Sequence, residues 1–197
     1  MLRALPLFSE LTQEESLLLL NSSRLHTCPR GQFLFAHGDT ISYIYVICRG
    51  TLQIFRATPD GHEVTSDILI SGDIVNADEL ISKQQTHAVN ARAVDDVTVL
   101  TIPIAWMQQH LDRFNHMALK LMANLSERLQ NAQLDAEHRS TMSAAQIVLC
   151  YLQKLCVLYG YDPHGFDLPY SKTLIASRLR MELETFSRAL QKLKEQG

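Results

Sequence analysis

Four glycines divide the first half of the chain at a nearly constant interval. Gly38, Gly50, Gly61 and Gly72 are 12, 11 and 11 residues apart, and each lies in a short turn sequence. The residues between these turns are β-branched or aromatic, which is typical of short strands. Because glycine supplies the positive φ that tight turns require, this interval predicts an antiparallel sandwich or roll. The predicted strands contain Phe33 and Phe35 and then span 43–47, 51–55, 64–70 and 97–102.

The segment 104–139 contains neither glycine nor proline, and its apolar residues recur every three or four positions. This pattern predicts one long amphipathic helix. At about 1.5 Å per residue the helix would be about 50 Å long, which is more than a small roll can cover. A second copy is therefore the expected partner, in a coiled coil, and the alternative is a helix packed on its own roll. The predicted dimer contacts are Phe114, Ala118, Leu121, Leu125 and Arg128.

Composition restricts the classes of function. The net charge is −3, but residues 167–197 hold six Lys or Arg against four Asp or Glu, so a nucleic-acid-binding face is expected to be local and C-terminal. The four cysteines form no C-x-x-C pair, and the sequence has no nucleophile elbow, phosphate loop or zinc-protease motif, which predicts that the chain is not an enzyme. No apolar stretch approaches the roughly 20 residues of a membrane span, so we expect a cytoplasmic protein without a membrane partner.

Residues 171–179 and 182–195 are expected to form two short helices separated by a turn near Arg180. Their length and order suit a helix-turn-helix, with Ser171 capping the first helix. The second helix is expected to bury one face, which is formed by Leu183, Phe186, Leu190 and Leu193.

Glu184, Ser187 and Arg188 project together from another face of the second helix, because residues three and four apart are neighbours. An arginine can fork onto guanine, a glutamate can accept from cytosine, and a serine can serve either role, so this trio is suited to reading base edges. The alternative is a solvated face that carries a Glu184–Arg188 ion pair. The residues expected to contact phosphates and set the register are Lys172, Thr173, Ser177, Arg178 and Arg180.

The order of these parts resembles the CRP/FNR family of bacterial transcription regulators, over nearly the whole chain. The most specific motif is the Glu-Thr-x-Ser-Arg pattern at 184–188, which is similar to the FNR-type recognition helix. The resemblance implies a homodimer that binds a palindromic double-stranded operator with TTGAT-like half-sites, with RNA polymerase as a further partner. Family members continue into a β-hairpin wing, and we expect this chain to stop before it.

The predicted fold class is therefore α+β, with three parts. An N-terminal antiparallel β-roll of the cyclic-nucleotide-binding type spans 1–103 and senses an effector. A long dimerisation helix spans 104–139. A C-terminal winged helix-turn-helix, truncated before its wing, spans 141–197.

The chain departs from the family at the effector site that the resemblance implies. Members that bind cyclic AMP carry a Gly-Glu pair for the ribose and an Arg-Ser pair for the cyclic phosphate. Counting from Gly72-Asp73 puts Asn76-Ala77 and His87-Ala88 at those positions. Because the guanidinium that clamps the anion is replaced, we expect that this roll does not bind cyclic AMP.

The oxygen sensors of the family carry an N-terminal cysteine cluster, whereas only Cys28 and Cys48 lie in the first half of this chain. The chain then looks most like the nitric-oxide-responsive Dnr/Nnr branch, which implies haem-bound nitric oxide as the effector. A haem iron needs an axial donor in an apolar pocket, and the candidate ligands are His87 and His116. The sequence thus predicts an effector-gated DNA-binding regulator. The alternative is a β-roll sensor module that acts through protein partners.

Overall fold

The computed structural model describes residues 5–80, 82, 84–160 and 167–195, with the side chains of all of these except 111 and 115. The strands of this part of the chain are β1 (Arg24–Cys28), β2 (Phe33–Phe35), β3 (Tyr43–Arg49), β4 (Leu52–Ala57), β5 (Glu63–Leu69), β6 (Ile74–Val75), β7 (Asn90–Ala93) and β8 (Val97–Pro103). The helices are α1 (Gln13–Ser22), α2 (Ile104–His110), α3 (Asn115–Thr141), α4 (Ala144–Leu158), α5 (Lys172–Arg178) and α6 (Leu183–Glu195).

The strands form two four-stranded sheets, in the orders β1-β8-β3-β6 and β2-β7-β4-β5. Successive side chains of strand β3 point to opposite faces of its sheet and therefore enter two different core clusters. Ile44 and Val46 pack with residues of the helices, whereas Tyr45 and Ile47 belong to a cluster to which both sheets contribute. This antiparallel β-roll with its helices confirms the predicted fold class.

The predicted glycine turns have the expected backbone conformation, with φ of +90°, +89°, +81° and +97° at Gly38, Gly50, Gly61 and Gly72. Gly50 is also sterically confined. A Cβ at this position would lie 2.6 Å from the Asp96 carbonyl oxygen and 2.7 Å from Asp95 Oδ1. The turn between β3 and β4 therefore requires glycine both for its φ and for its lack of a side chain.

The prediction of a single helix over 104–139 is wrong, because the structure interrupts it. Helix α2 ends at His110, a 3-10 turn spans Leu111–Arg113, and α3 begins at Asn115. Phe114 lies at the interruption and is 1% exposed, in the same cluster as Met107 of α2 and Met117 of α3. Burial of the phenylalanine ring offsets the helical hydrogen bonds that are lost there.

Two of the predicted dimer contacts on this helix need correction. Phe114 and Leu121 are 1% and 5% exposed in the core of their own roll, and Leu125 packs against the same core. Ala118 is half-buried. Arg128 contacts Asp67 Oδ2 at 3.7 Å and donates to the Ile74 carbonyl oxygen at 3.4 Å. Phe114 and Leu121 therefore stabilise the protomer, as in the alternative of a helix packed on its own roll, whereas Ala118, Leu125 and Arg128 remain predicted dimer contacts.

The chain divides into two compact units. The first comprises Met1–Arg56 and Ser66–Leu129, and the second comprises Ala57–Thr65 and Gln130–Gly197. The sequence predicts a boundary near residue 141, whereas the second unit begins earlier, within α3. It also includes the tip of the hairpin between β4 and β5, which no sequence pattern assigns to the C-terminal part.

Helix α4 of the second unit begins with a capping box. Ser143 Oγ accepts from Gln146 N at 3.4 Å, and Gln146 Oε1 accepts from Ser143 N at 2.9 Å. Helix α4 packs on α6, which packs in turn on α5. Throughout the described part of the chain, no helix has both the length and the apolar character needed to cross a bilayer.

Candidate nucleic-acid interface and effector pocket

Helix α6 has one buried face and one exposed face. Phe186 and Ala189 are buried, whereas Glu184, Ser187 and Arg188 are all exposed. The structure therefore brings the predicted base-reading trio together on the solvent side of the helix. One apolar residue behaves differently from the expectation: Leu183, which was expected on the buried face, is 43% exposed because it is the first residue of the helix.

The Arg188 guanidinium is not held by an acidic side chain within the described residues. Its Nη2 donates to Thr185 Oγ1 at 3.4 Å, and no Glu184–Arg188 ion pair forms. A hydrogen bond of that length is weak, and its two residues lie one helical turn apart on α6. Replacing it with a bond to a nucleic-acid acceptor therefore costs little free energy. The arginine guanidinium thus lies at the surface with most of its donors unused by the described side chains.

Helix α5 begins as predicted, with Ser171 Oγ accepting from Leu174 N at 3.2 Å. Lys172 and Thr173 follow this cap and are exposed. A cation and a hydroxyl in the first turn of a helix are suited to contacts with a phosphate backbone.

Arg180 occupies an unusual backbone position in the turn between α5 and α6. Its φ is +56°, and Met181 N donates to the Ala176 carbonyl oxygen at 3.0 Å across the end of α5. This is the bond of a Schellman motif, in which the residue at the left-handed position is usually glycine. Arg180 therefore has a strained backbone, and its side chain is exposed.

We predict that Arg180→Gly stabilises the protein by about 1 kcal/mol, because glycine adopts the left-handed conformation without strain. Arg180→Ala is the matched control, since it removes the same charge but keeps a Cβ at positive φ. Urea unfolding at constant slope compares the two variants. Equal stability of the glycine and alanine variants would show that φ at this position carries no cost.

Two residues expected to contact phosphates have other partners. Ser177 Oγ lies 2.8 Å from Thr65 Oγ1, accepts from Thr65 N at 3.1 Å and donates to the Glu63 carbonyl oxygen at 3.2 Å. Arg178 Nη2 lies 2.8 Å from Asp135 Oδ2, and the arginine side chain is 17% exposed. Of the predicted phosphate contacts, the exposed residues are Lys172, Thr173 and Arg180.

Thr65 and Asp135 are the partners that sequence reasoning missed. Thr65 lies 112 residues before Ser177, in a hairpin that the pattern assigns to the roll. Asp135 lies on α3, where an acidic residue in a polar stretch has the appearance of a solvated face. Neither position carries a local signal of its tertiary partner.

Asn76 and Ala77, which align with the ribose-binding pair of the cyclic-AMP binders, support the fold of the roll. Asn76 is buried with φ +63°, and its Nδ2 donates to the Tyr43 carbonyl oxygen at 3.1 Å. Ala77 is buried in the cluster between the roll and its helices. An asparagine tolerates left-handed backbone better than most residues, so the side chain and the conformation are matched.

His87, at the ancestral phosphate position, is part of an aromatic stack. Its ring is 3.7 Å from the Phe35 ring with an interplanar angle of 9°, and Phe35 stacks in turn on Tyr45 at 5.9 Å. His87 is 4% exposed, and burial lowers the pKa of its imidazole although Asp39 opposes the shift. Burial, with smaller effects of Tyr43 and Asp39, raises the pKa of Tyr45 to about 12. A neutral, stacked imidazole is a poor substitute for the arginine that clamps a cyclic phosphate, and Ala88 beside it offers no hydroxyl.

Neither candidate histidine fits a haem. An axial ligand needs an open apolar space beside one of its ring nitrogens. His87 is 4% exposed with one face of its ring against Phe35, and His116 is largely exposed with its Nδ1 3.4 Å from Glu10 Oε2. Among the described residues, no group of three His, Cys, Asp or Glu side chains is placed to hold a metal ion.

Comparison with known proteins finds similarity in the roll and along most of the chain. Residues 25–114 match the cyclic nucleotide-binding domain family. The chain is 25% identical to the regulatory protein HlyX of Actinobacillus pleuropneumoniae, over 95% of this chain and 77% of that protein. It is also 25% identical to the anaerobic regulatory protein of Pasteurella multocida, over 85% of this chain. The chain spans only 62% of the length of the Pasteurella relative.

The fold is also similar to that of solved structures. The structure of FixK2 from Bradyrhizobium japonicum superposes with a TM-score of 0.76 at 20% identity, covering 89% of this chain and 86% of that one. At this identity the likeness is one of fold. The β-roll followed by helices is therefore a fold that this chain shares with FixK2.

Proposed function

We propose that this chain, whose residues 25–114 match the cyclic nucleotide-binding domain family, is a sequence-specific DNA-binding transcription regulator of the CRP/FNR type. The observation that carries the proposal is the exposed trio Glu184, Ser187 and Arg188 on a helix whose other face is buried. The names of the relatives, which are regulatory proteins, support it.

The arrangement of these residues suggests how DNA is bound. Helix α6 enters the major groove with its N-terminal turns, so that Glu184, Ser187 and Arg188 face base edges. Lys172, Thr173 and Arg180 are exposed nearby and contact phosphates, which sets the register of the helix on the duplex. The FNR-like motif at 184–188 makes a TTGAT-like half-site the first sequence to test.

We propose that the regulator is a homodimer that pairs through α3. Leu119, Met122 and Leu129 are 60%, 58% and 61% exposed and are spaced by three and seven residues, as in a coiled-coil seam. Apolar side chains this exposed on one helix face are stabilised by burial against a second copy. A palindromic operator matches the two-fold symmetry of such a dimer.

The proposal does not include cyclic AMP or haem. His87, at the position of the phosphate clamp, is buried against Phe35, and His116 is exposed beside Glu10 and not in an apolar pocket. The Dnr/Nnr branch and its nitric oxide signal rest on the sequence resemblance alone. RNA polymerase likewise enters as a partner through that resemblance.

Operator binding tests the proposal directly. We expect the protein to bind a duplex carrying inverted TTGAT-like half-sites about a thousandfold more tightly than a scrambled duplex of the same length. The logarithm of affinity is expected to fall linearly with the logarithm of salt concentration. As a control for dimeric binding, five extra base pairs between the half-sites turn them to opposite sides of the duplex and remove the preference. Equal affinity for both duplexes would favour the alternative, a sensor module that acts through protein partners.

A further inference from the structure

The first helix of the helix-turn-helix is attached to the β4–β5 hairpin by a compact set of hydrogen bonds. Ser177 Oγ donates to the Glu63 carbonyl oxygen, and it therefore accepts from both Thr65 N and the Thr65 hydroxyl. Thr65 is completely buried. One serine hydroxyl thus uses its full hydrogen-bonding capacity on a segment more than a hundred residues away in sequence.

The neighbouring residue attaches the same helix to α3. The Arg178 guanidinium lies 2.8 Å from the Asp135 carboxylate, and both side chains are more than two-thirds buried, at 17% and 27% exposure. An ion pair shielded from water in this way is stronger than one at the surface. Helix α5 is therefore held from two directions by adjacent side chains, Ser177 and Arg178.

The hairpin tip is closed by several hydrogen bonds of its own, so it is able to act as a support. Thr58 and His62 close the turn through three bonds, namely Thr58 N to His62 O at 2.8 Å, His62 N to Thr58 Oγ1 at 3.1 Å and Thr58 Oγ1 to His62 O at 3.2 Å. Gly61 N donates to the Thr58 carbonyl oxygen at 2.9 Å. A turn with this many internal bonds has few alternative conformations.

The position of α5 determines that of α6. Met181 N bonds across the turn to the Ala176 carbonyl oxygen, and the two helices pack on each other. A restraint on α5 is therefore passed to the exposed trio on α6, although it does not touch any of the three residues.

We infer that Thr65 and Asp135 are positioning residues for DNA recognition. They form a polar clamp with Ser177 and Arg178, and this clamp holds the helix-turn-helix in the orientation that the operator requires. The inference rests on the proposed function and adds the hairpin tip to the DNA-recognition machinery. It also reassigns Ser177 and Arg178 from phosphate contacts to internal support.

Thr65→Val and Thr65→Ser test the hairpin side of the clamp. Valine has the shape of threonine but lacks the hydroxyl that donates to Ser177, whereas serine keeps the hydroxyl. We expect Thr65→Val to weaken operator binding about three- to tenfold, the effect of one net hydrogen bond, and Thr65→Ser to stay within about twofold of the wild type. Binding to a scrambled duplex is expected not to change. Unchanged or tighter operator binding by Thr65→Val would overturn the inference.

The salt dependence of binding tests the Arg178 side. If Arg178 contacted phosphate, Arg178→Gln would reduce the slope of log affinity against log salt by about one for each protomer. We expect instead an unchanged slope with weaker operator binding, and the same loss in Asp135→Asn. The double variant is expected to lose little more than either single variant, because both remove the same ion pair. A reduced slope in Arg178→Gln alone, or additive losses in the double variant, would contradict the clamp.

Hydrogen exchange separates a failure of the clamp from a failure of the proposed function. In the absence of DNA, the amides of α5 are expected to exchange faster in Thr65→Val than in Thr65→Ser or the wild type. One possible result is that α5 exchanges faster in Thr65→Val while the wild-type protein shows no operator preference. This result would support the contact between Thr65 and Ser177 but would reject DNA binding as its function. Equal exchange in all three proteins would reject the clamp itself.

Discussion

Arg188→Ala is expected to reduce the preference for operator DNA by at least about thirtyfold. A bidentate arginine–guanine contact is worth about 1–3 kcal/mol of discrimination, and a dimer on two half-sites loses it twice, which amounts to about thirtyfold to ten-thousandfold in affinity. The folded protein should be unaffected, because Arg188 is exposed and makes one weak hydrogen bond to Thr185. Competition between operator and scrambled duplexes at a fixed salt concentration measures the effect.

Arg188→Lys distinguishes base reading from simple charge. Lysine keeps the positive charge, but it lacks the planar fork that meets two acceptors of guanine at once. We therefore expect the lysine variant to retain the salt slope of the wild type while losing most of the operator preference. If lysine restored full preference, Arg188 would be acting as a phosphate contact, and the assignment of the base-reading face would have to change.

Gly50→Ala is expected to destabilise the roll by about 2–5 kcal/mol. About 1–2 kcal/mol comes from forcing a Cβ into left-handed backbone at φ +89°, and about 1–3 kcal/mol comes from overpacking. The added carbon would meet the Asp96 carbonyl oxygen at 2.6 Å, Asp95 Oδ1 at 2.7 Å and the Val97 Cα at 2.9 Å. Asp95 cannot simply rotate away, because Oδ1 accepts from Thr51 N at 2.7 Å. Urea unfolding with a check of the slope measures the loss.

Gly38→Ala is the matched control for this prediction. Its φ is +90°, close to that of Gly50, but a Cβ there would meet nothing within 4 Å. The control variant is therefore expected to lose only the conformational part, about 1–2 kcal/mol. Similar losses in the two variants would mean that the close approach of Asp95 and Asp96 relaxes at negligible cost.

The exposed trio was predictable from sequence because a helix presents residues three and four apart on one face whatever surrounds it. The same local logic accounts for the Ser171 cap and for the four glycine turns. Reasoning from local sequence did not predict the partners of Ser177 and Arg178. Their residue types suit phosphate contacts, but their partners, Thr65 and Asp135, are contributed by distant segments.

The missed strands have a similar explanation. Strand β7 has the sequence Asn-Ala-Arg-Ala, which carries no β-branched or aromatic residue. It is nevertheless a strand because it pairs with both β2 and β4, and its two alanines are buried in the core shared by the sheets. Strand pairing and burial determine the conformation of such a segment, and neither can be predicted from its own residues.

By itself, the sequence determined the features that depend on short-range geometry: the antiparallel roll with its glycine turns, the Ser171 helix cap and the exposed trio Glu184, Ser187 and Arg188. The tertiary structure decided where α2 gives way to α3, since burial of Phe114 offsets the broken helix there. The tertiary structure also placed Leu121 in the core and brought Ser177 into contact with Thr65. At the position of the phosphate clamp, it stacked His87 on Phe35. The physical reason is common to all of these cases. Local backbone preferences act over a few residues, whereas the choice of a buried partner depends on which distant surfaces the folded chain brings together.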